Sequence, residues 1–142
     1  MMEYHRLYNL DIKIVRLFNT YGPGMNKQDG RVVSNFINQA LLNSNITIYG
    51  DGNQTRSLCY IDDTIDGLVK MMNSNENGPI NLGNPNEHKI NYIADLIIKL
   101  SNSTSIKKNL PIQNDDPTRR CPDITKAITL LQWEPNIHFN TV

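Results

Sequence analysis

Apolar and polar positions alternate from Asp11 to Phe18, a two-residue period that predicts a strand with one buried face. The period then lengthens. Val33, Phe36, Ile37, Ala40 and Leu41 recur at helical spacing and place one apolar stripe on a helix. Ile46 to Tyr49 reads as a short strand, "GDGNQT" as a hairpin turn, and Arg56 to Ile61 as a further strand. A helix follows, with Asp62 or Asp63 as its N-cap and Ile65, Leu68, Val69 and Met72 facing inward. Pro79 to Leu82 is a short strand, and Ile90, Ile93, Ala94, Ile97 and Ile98 mark another amphipathic helix. Ile106 to Ile112 is a candidate strand, Asp123 caps a last helix through Leu131, and "WEP" closes it. Met1 to Tyr8 reads as the end of a helix. Strands alternating with helices, without repeats, predict an α/β fold.

Composition narrows the classes. With 14 basic and 14 acidic residues the formal net charge is zero, so no overall field recruits nucleic acid or an acidic membrane. No apolar run approaches the ~18 residues of a membrane span, and no leading apolar region marks secretion. Two cysteines, Cys59 and Cys121, are too few for a disulfide framework or zinc site and read as reduced thiols in a cytoplasmic protein.

The chain has no G-x-G-x-x-G, and no tyrosine is followed four residues on by lysine. His5, His88 and His138 lie apart and read as solvated or structural. No catalytic residues and no metal ligands are therefore expected. Four arginines, Arg31, Arg56, Arg119 and Arg120, sit beside Gly, Asn, Asp or Pro in loops or at element edges. A planar guanidinium pairs with phosphate oxygens bidentately. The same arginines could instead pair with Asp51, Asp115, Asp116 and Asp123. The loop from Asn19 to Arg31, rich in Gly, Pro, Asn and Asp, has the composition of an anion-holding segment.

In order and spacing, "RLFNTYGPGM", "DGRVVSNFI", "ITIYGDGNQTRSLCYIDDTIDGLVKMMN", "PINLGNPNEHKI", "DDPTRRCPDITKA" and "LQWEP" resemble the extended short-chain dehydrogenases that act on nucleotide sugars. The UDP-glucuronate decarboxylases are most similar. "DGRVVSNFI" and "DDPxxRxPD" favour them over the dTDP-glucose 4,6-dehydratases and UDP-glucose 4-epimerases of the same family. The likeness covers nearly all of residues 1–142 and implies the C-terminal, nucleotide-sugar-binding part of such an enzyme. It further implies that the Rossmann half, with glycine fingerprint and Tyr-x-x-x-Lys, lies upstream, and that a closing helix follows Val142. It marks Asn19, Arg56 and Arg120 for the diphosphate, Asn35 along the nucleotide, Thr47 and Tyr49 for the uracil, and Tyr4 near the sugar. Thr20 and Arg31 are marked for NAD, which the upstream half would mainly hold. Gly24 and Asn26 depart from the arginine and histidine common in the family's "GPRMH", a difference on the cofactor side. The implied partners are a UDP-sugar, the Rossmann half and, in the complete enzyme, a second copy. The 142 residues alone are expected to be inactive; a non-catalytic binding module is the reading from outside the enzyme class.

Overall fold

A short helix, Met2–Tyr8 (α1), comes first in the computed structural model, which describes residues 2–112 and 120–141. Only Val15–Leu17 (β1) of the run 11–18 forms a strand, followed by Thr20–Tyr21 (β2) and the helix Val32–Leu41 (α2). Ile46–Tyr49 (β3), Thr55–Ser57 (β4) and Cys59–Tyr60 (β5) lead into Ile61–Asn73 (α3). Then come Ile80–Leu82 (β6), Glu87–Lys89 (β7), Ile90–Leu100 (α4), Lys107–Leu110 (β8), Thr125–Leu131 (α5) and a 3-10 turn at Phe139–Thr141.

The strands join in pairs. β1 lies parallel to β6, β2 to β5 and β3 to β8, while β4 and β7 are antiparallel. Parallel neighbours need crossover connections, and the helices supply them. The α/β class stands. Two apolar clusters hold the elements together. The first gathers Phe36, Ala40, Ile46, Ile48, Ile90, Ile93 and Ile97 from α2, β3 and α4. The second gathers Met71, Ile80, Leu82, Ala127, Leu131 and Trp133 from α3, β6 and α5, with the Trp133 indole donating to the Asp63 carbonyl at 3.0 Å.

Several expectations change. "GDGNQT" is not a hairpin turn, because β3 and β4 pair with different partners. Its carbonyls instead receive the first N–H groups of α4, which no side chain caps: Ile90 N donates to Gln54 O and Asn91 N to Gly52 O, each at 3.1 Å. Gly52 has φ +75°, and a Cβ there would sit 2.5 Å from Asn91 Nδ2, so the close approach needs glycine. The strand anticipated from Arg56 to Ile61 is split at Leu58, and β7 carried no alternation to betray it. The N-cap of α3 is Tyr60, not Asp62 or Asp63. Its inward face is Asp63, Thr64, Gly67 and Met71, with Leu68 half-buried against the second cluster as expected, whereas Ile65, Val69 and Met72 are exposed. Asp123 stands two residues before α5 and accepts from Thr125 N at 2.9 Å and Thr125 Oγ1 at 2.7 Å, satisfying the first turn from one position further out than a cap.

Candidate functional site

A cavity of about 310 Å³ opens between the loop after β2, the first turns of α2, β3 and β4. Eight of the residues marked in the sequence line it: Asn19, Thr20, Arg31, Asn35, Thr47, Tyr49, Arg56 and Arg120. Tyr4 does not. It lies on α1, exposed, with its ring 5.7 Å from that of Tyr8.

Backbone bonds fix the near wall. The Asn19 carbonyl accepts from Cys59 N at 3.1 Å, which ties the loop to β5. Among the described residues the Asn19 side-chain amide has no hydrogen-bond partner, so its donors and acceptor are available to a ligand. Thr20 Oγ1 donates to the Phe18 carbonyl and lies 3.3 Å from Thr64 Oγ1. Arg31 is oriented by two contacts: Nε meets Asp29 Oδ2 at 3.0 Å and Nη1 donates to the Thr20 carbonyl at 3.2 Å. Asp29 also accepts from Ser34 Oγ and from Arg31 N; these bonds, the Ser34 hydroxyl foremost, hold its carboxyl below the ordinary value. Asn35 Nδ2 donates to the Gly30 carbonyl at 3.0 Å, closing the loop onto α2.

On the far wall Gln39 grips Thr47 with both ends of its amide, at 2.8 and 3.0 Å. Gln54 Nε2 donates to the Tyr49 carbonyl at 2.6 Å. Arg56 is 9% exposed, and Nη1 donates to the Thr55 carbonyl at 2.8 Å. Ser57 Oγ donates to the Arg120 carbonyl at 2.9 Å, which holds Arg120 beside β4 with its side chain exposed. Of the ion pairs foreseen for these arginines, those to Asp51 and Asp123 are not seen among the described residues. Arg31 pairs with Asp29, Asp51 accepts from Asn53, and Asp123 accepts from Thr125. Asp115, Asp116 and Arg119 fall within 113–119, outside the described residues.

The lining contains three arginines and, among the described residues, no carboxylate. Val32, Phe36, Ile48, Leu58 and Ile90 add an apolar side. Such a hollow suits a ligand with an anionic end and a flat apolar end. Among the described residues its lining holds no acid–base pair. The Tyr21 hydroxyl, buried and without a partner, is pushed up to about 12 chiefly by burial and is no base at neutral pH. His88 stacks on Tyr92 and packs against Phe139 rather than facing a nucleophile. Among the described residues no group of His, Cys, Asp and Glu could hold a metal ion, and no helix is long and apolar enough to cross a membrane. Asp29, Gln39 and Gln54 escaped the sequence reading. Gln39 was findable, since it stands four residues after Asn35 on one face of α2.

Comparison with known proteins adds four findings. Residues 1–83 match the NAD dependent epimerase/dehydratase family. The chain is 48% identical over 96% of its length to "UDP-glucuronic acid decarboxylase 3" of Arabidopsis thaliana, and 51% identical over 93% to "UDP-glucuronic acid decarboxylase 1" of Danio rerio. It spans 40% and 32% of those two proteins. In three dimensions it superposes on UDP-glucuronic acid 4-epimerase from Bacillus cereus, solved with UDP-glucuronic acid and NAD, with TM-score 0.86 and 34% identity. That match covers 98% of this chain and 45% of the epimerase.

Proposed function

The chain belongs to the NAD dependent epimerase/dehydratase family, and we propose that it is the nucleotide-sugar-binding part of a UDP-glucuronate decarboxylase, the enzyme class that converts UDP-glucuronate to UDP-xylose and CO2. The observation that carries this reading is the cavity lined by Arg31, Arg56 and Arg120 beside an apolar wall. A diphosphate fits between Arg56 and Arg120, whose fixed charges offset its repulsion without the reorganisation that water would need. The Asn19 amide reaches the same group, and Asn35 lies along the nucleotide. Thr47 and Tyr49 on β3 meet the uracil. Holding the UDP end fixes where the sugar's C4 sits, which is a positioning contribution to rate.

The chain has no glycine fingerprint, so its residues fit the rim of a dinucleotide site and not its phosphate cradle. Arg31, held by Asp29 and the Thr20 carbonyl yet exposed along most of its side chain, is the cation at that rim. Thr20 and Arg31 would border the bound NAD, which would supply a reversible hydride acceptor for the sugar's C4. The Rossmann half and the Tyr-x-x-x-Lys pair would come from outside these 142 residues. The exposed apolar stripe of α3, Ile65, Val69 and Met72, then faces that half, and the complete enzyme pairs with a second copy.

A 4-epimerase is the second reading, favoured by the Bacillus cereus superposition. The higher identities to decarboxylases favour the first. The test joins the chain to a Rossmann half from a decarboxylase relative and follows UDP-glucuronate. UDP-xylose with equimolar CO2 supports decarboxylation; UDP-galacturonate without CO2 replaces it with epimerisation. CO2 release by the 142 residues alone, with NAD supplied, contradicts the division of labour.

A further inference from the structure

Thr47 lines the cavity, but the residue that governs its hydroxyl does not. In the β3–β8 ladder Ile46 N donates to Ile106 O and Gly50 N to Leu110 O. The alternation of a parallel ladder therefore turns the Thr47 N–H to the opposite edge. There Gln39 Oε1 accepts it at 3.0 Å, while Gln39 Nε2 donates to Thr47 Oγ1 at 2.8 Å. This pair of bonds removes the usual ambiguity of an amide side chain. A backbone N–H can only donate, so the amide oxygen must face it and the amide nitrogen must face the hydroxyl. The NH2 group accepts nothing. The hydroxyl must therefore accept from it, and its own proton must be directed elsewhere. Among the described residues that proton has no acceptor, and the open side of Thr47 is the cavity.

We infer that Gln39 is a positioning residue that turns Thr47 into a hydrogen-bond donor toward the base, so that the subsite selects a nucleobase carbonyl over an amino group. The inference rests on the proposed function for its ligand and adds the chemical basis of base choice. Uracil offers carbonyl oxygens at both of its exocyclic positions. Cytosine places an amino group at one of them, where the Thr47 proton would meet a second donor and lose its acceptor. Gln39 acts only through Thr47.

Glutamate at position 39 inverts the arrangement. An ionised carboxylate accepts from both the Thr47 N–H and the Thr47 O–H, which leaves a hydroxyl lone pair on the cavity side. The experiment titrates UDP and CDP calorimetrically into the 142-residue chain at pH 7.5, for the wild type, Gln39→Glu and Thr47→Val, with thermal melts in parallel. The wild type is expected to favour UDP by about tenfold, one hydrogen bond's worth of discrimination. Gln39→Glu should bring the ratio to about one or below it, and Thr47→Val, which keeps the shape and lacks the hydroxyl, to about one. Thr47→Val alone decides the matter should Gln39→Glu fail to fold. UDP binding with an unchanged UDP-to-CDP ratio in the folded variants overturns the inference and leaves the proposed function standing. No binding of either nucleotide by the wild type overturns both.

Discussion

Helices α3 and α4 have similar apolar periodicity and opposite fates. In α4 the residues that the period selects are the ones buried: Ile90, Ile93, Ala94 and Ile97 pack against α2 and β3, with Ile93 fully enclosed. Ile93 and Ile97 have all the cover they need within this chain. In α3 most of the selected stripe lies outside: Ile65, Val69 and Met72 are 49%, 48% and 71% exposed, and only Leu68 packs on the core. The buried face is held by small and polar groups. Gly67 brings the helix so close that a Cβ would stand 3.0 Å from Leu82 and Trp133. Asp63 accepts from Asn136 N at 3.1 Å and Ile137 N at 3.0 Å, pinning the chain beyond α5. The contrast separates a helix that is finished from one that keeps an apolar face in reserve, as expected if α3 bridges two bodies of a larger enzyme.

The largest effect should come from the finished helix. Ile93→Ala leaves a cavity in a site with no room to collapse and should cost about 2–5 kcal/mol in urea unfolding. The combined change Ile65→Ser, Val69→Ser, Met72→Ser on α3 should cost under about 1 kcal/mol and reduce self-association in sedimentation. Comparable losses in the two helices would erase the distinction between them. Next is Asp63→Asn, which sets an amide NH2 against one of two backbone N–H donors and should cost about 1–3 kcal/mol by the same measurement. A smaller effect tests the α4 side through pH. Burial lowers the His88 pKa from its ordinary 6.5. Above 6.5 the histidine is neutral whether folded or not, so its burial adds no pH dependence there. Below 6.5 the unfolded chain binds the proton first, and stability falls until the lower, folded pKa is passed. His88→Gln should flatten stability just below pH 6.5, by less than about 1 kcal/mol because the ring is partly exposed. An unchanged slope would show that the ring's burial does not govern this window.

Legibility in the sequence followed the same divide. The helix spans of α2 and α4 could be read because each buries most of its apolar stripe, although Ile37 and Leu41 of the α2 stripe are exposed where the period turned them inward, and β3 because alternation survives in a strand with two buried isoleucines. Most of the inward face of α3 could not, since a periodicity argument assigns apolar residues to the core, whereas here Asp63, Thr64 and Gly67 take that place and only Leu68 of the expected set packs on it. β7, "EHK", has no apolar residue to alternate and forms because β4 offers it an antiparallel edge. Most of the cavity lining came from resemblance rather than pattern. Arg56 and Arg120 are 64 positions apart in sequence and line one cavity, with Ser57, next to Arg56, holding the Arg120 carbonyl. Asp29 and Gln39 were overlooked because their work is to aim Arg31 and Thr47, a role that spacing alone rarely reveals.

The central claim is that this cavity grips a nucleoside diphosphate through forked arginines. UDP titration into the wild type, Arg120→Lys and Arg119→Lys tests it most directly, because lysine keeps the charge and loses the fork. The account predicts that Arg120→Lys weakens UDP by about tenfold or more while Arg119→Lys, next in sequence and equally basic, binds like the wild type. Equal UDP affinities for the wild type and Arg120→Lys would contradict it.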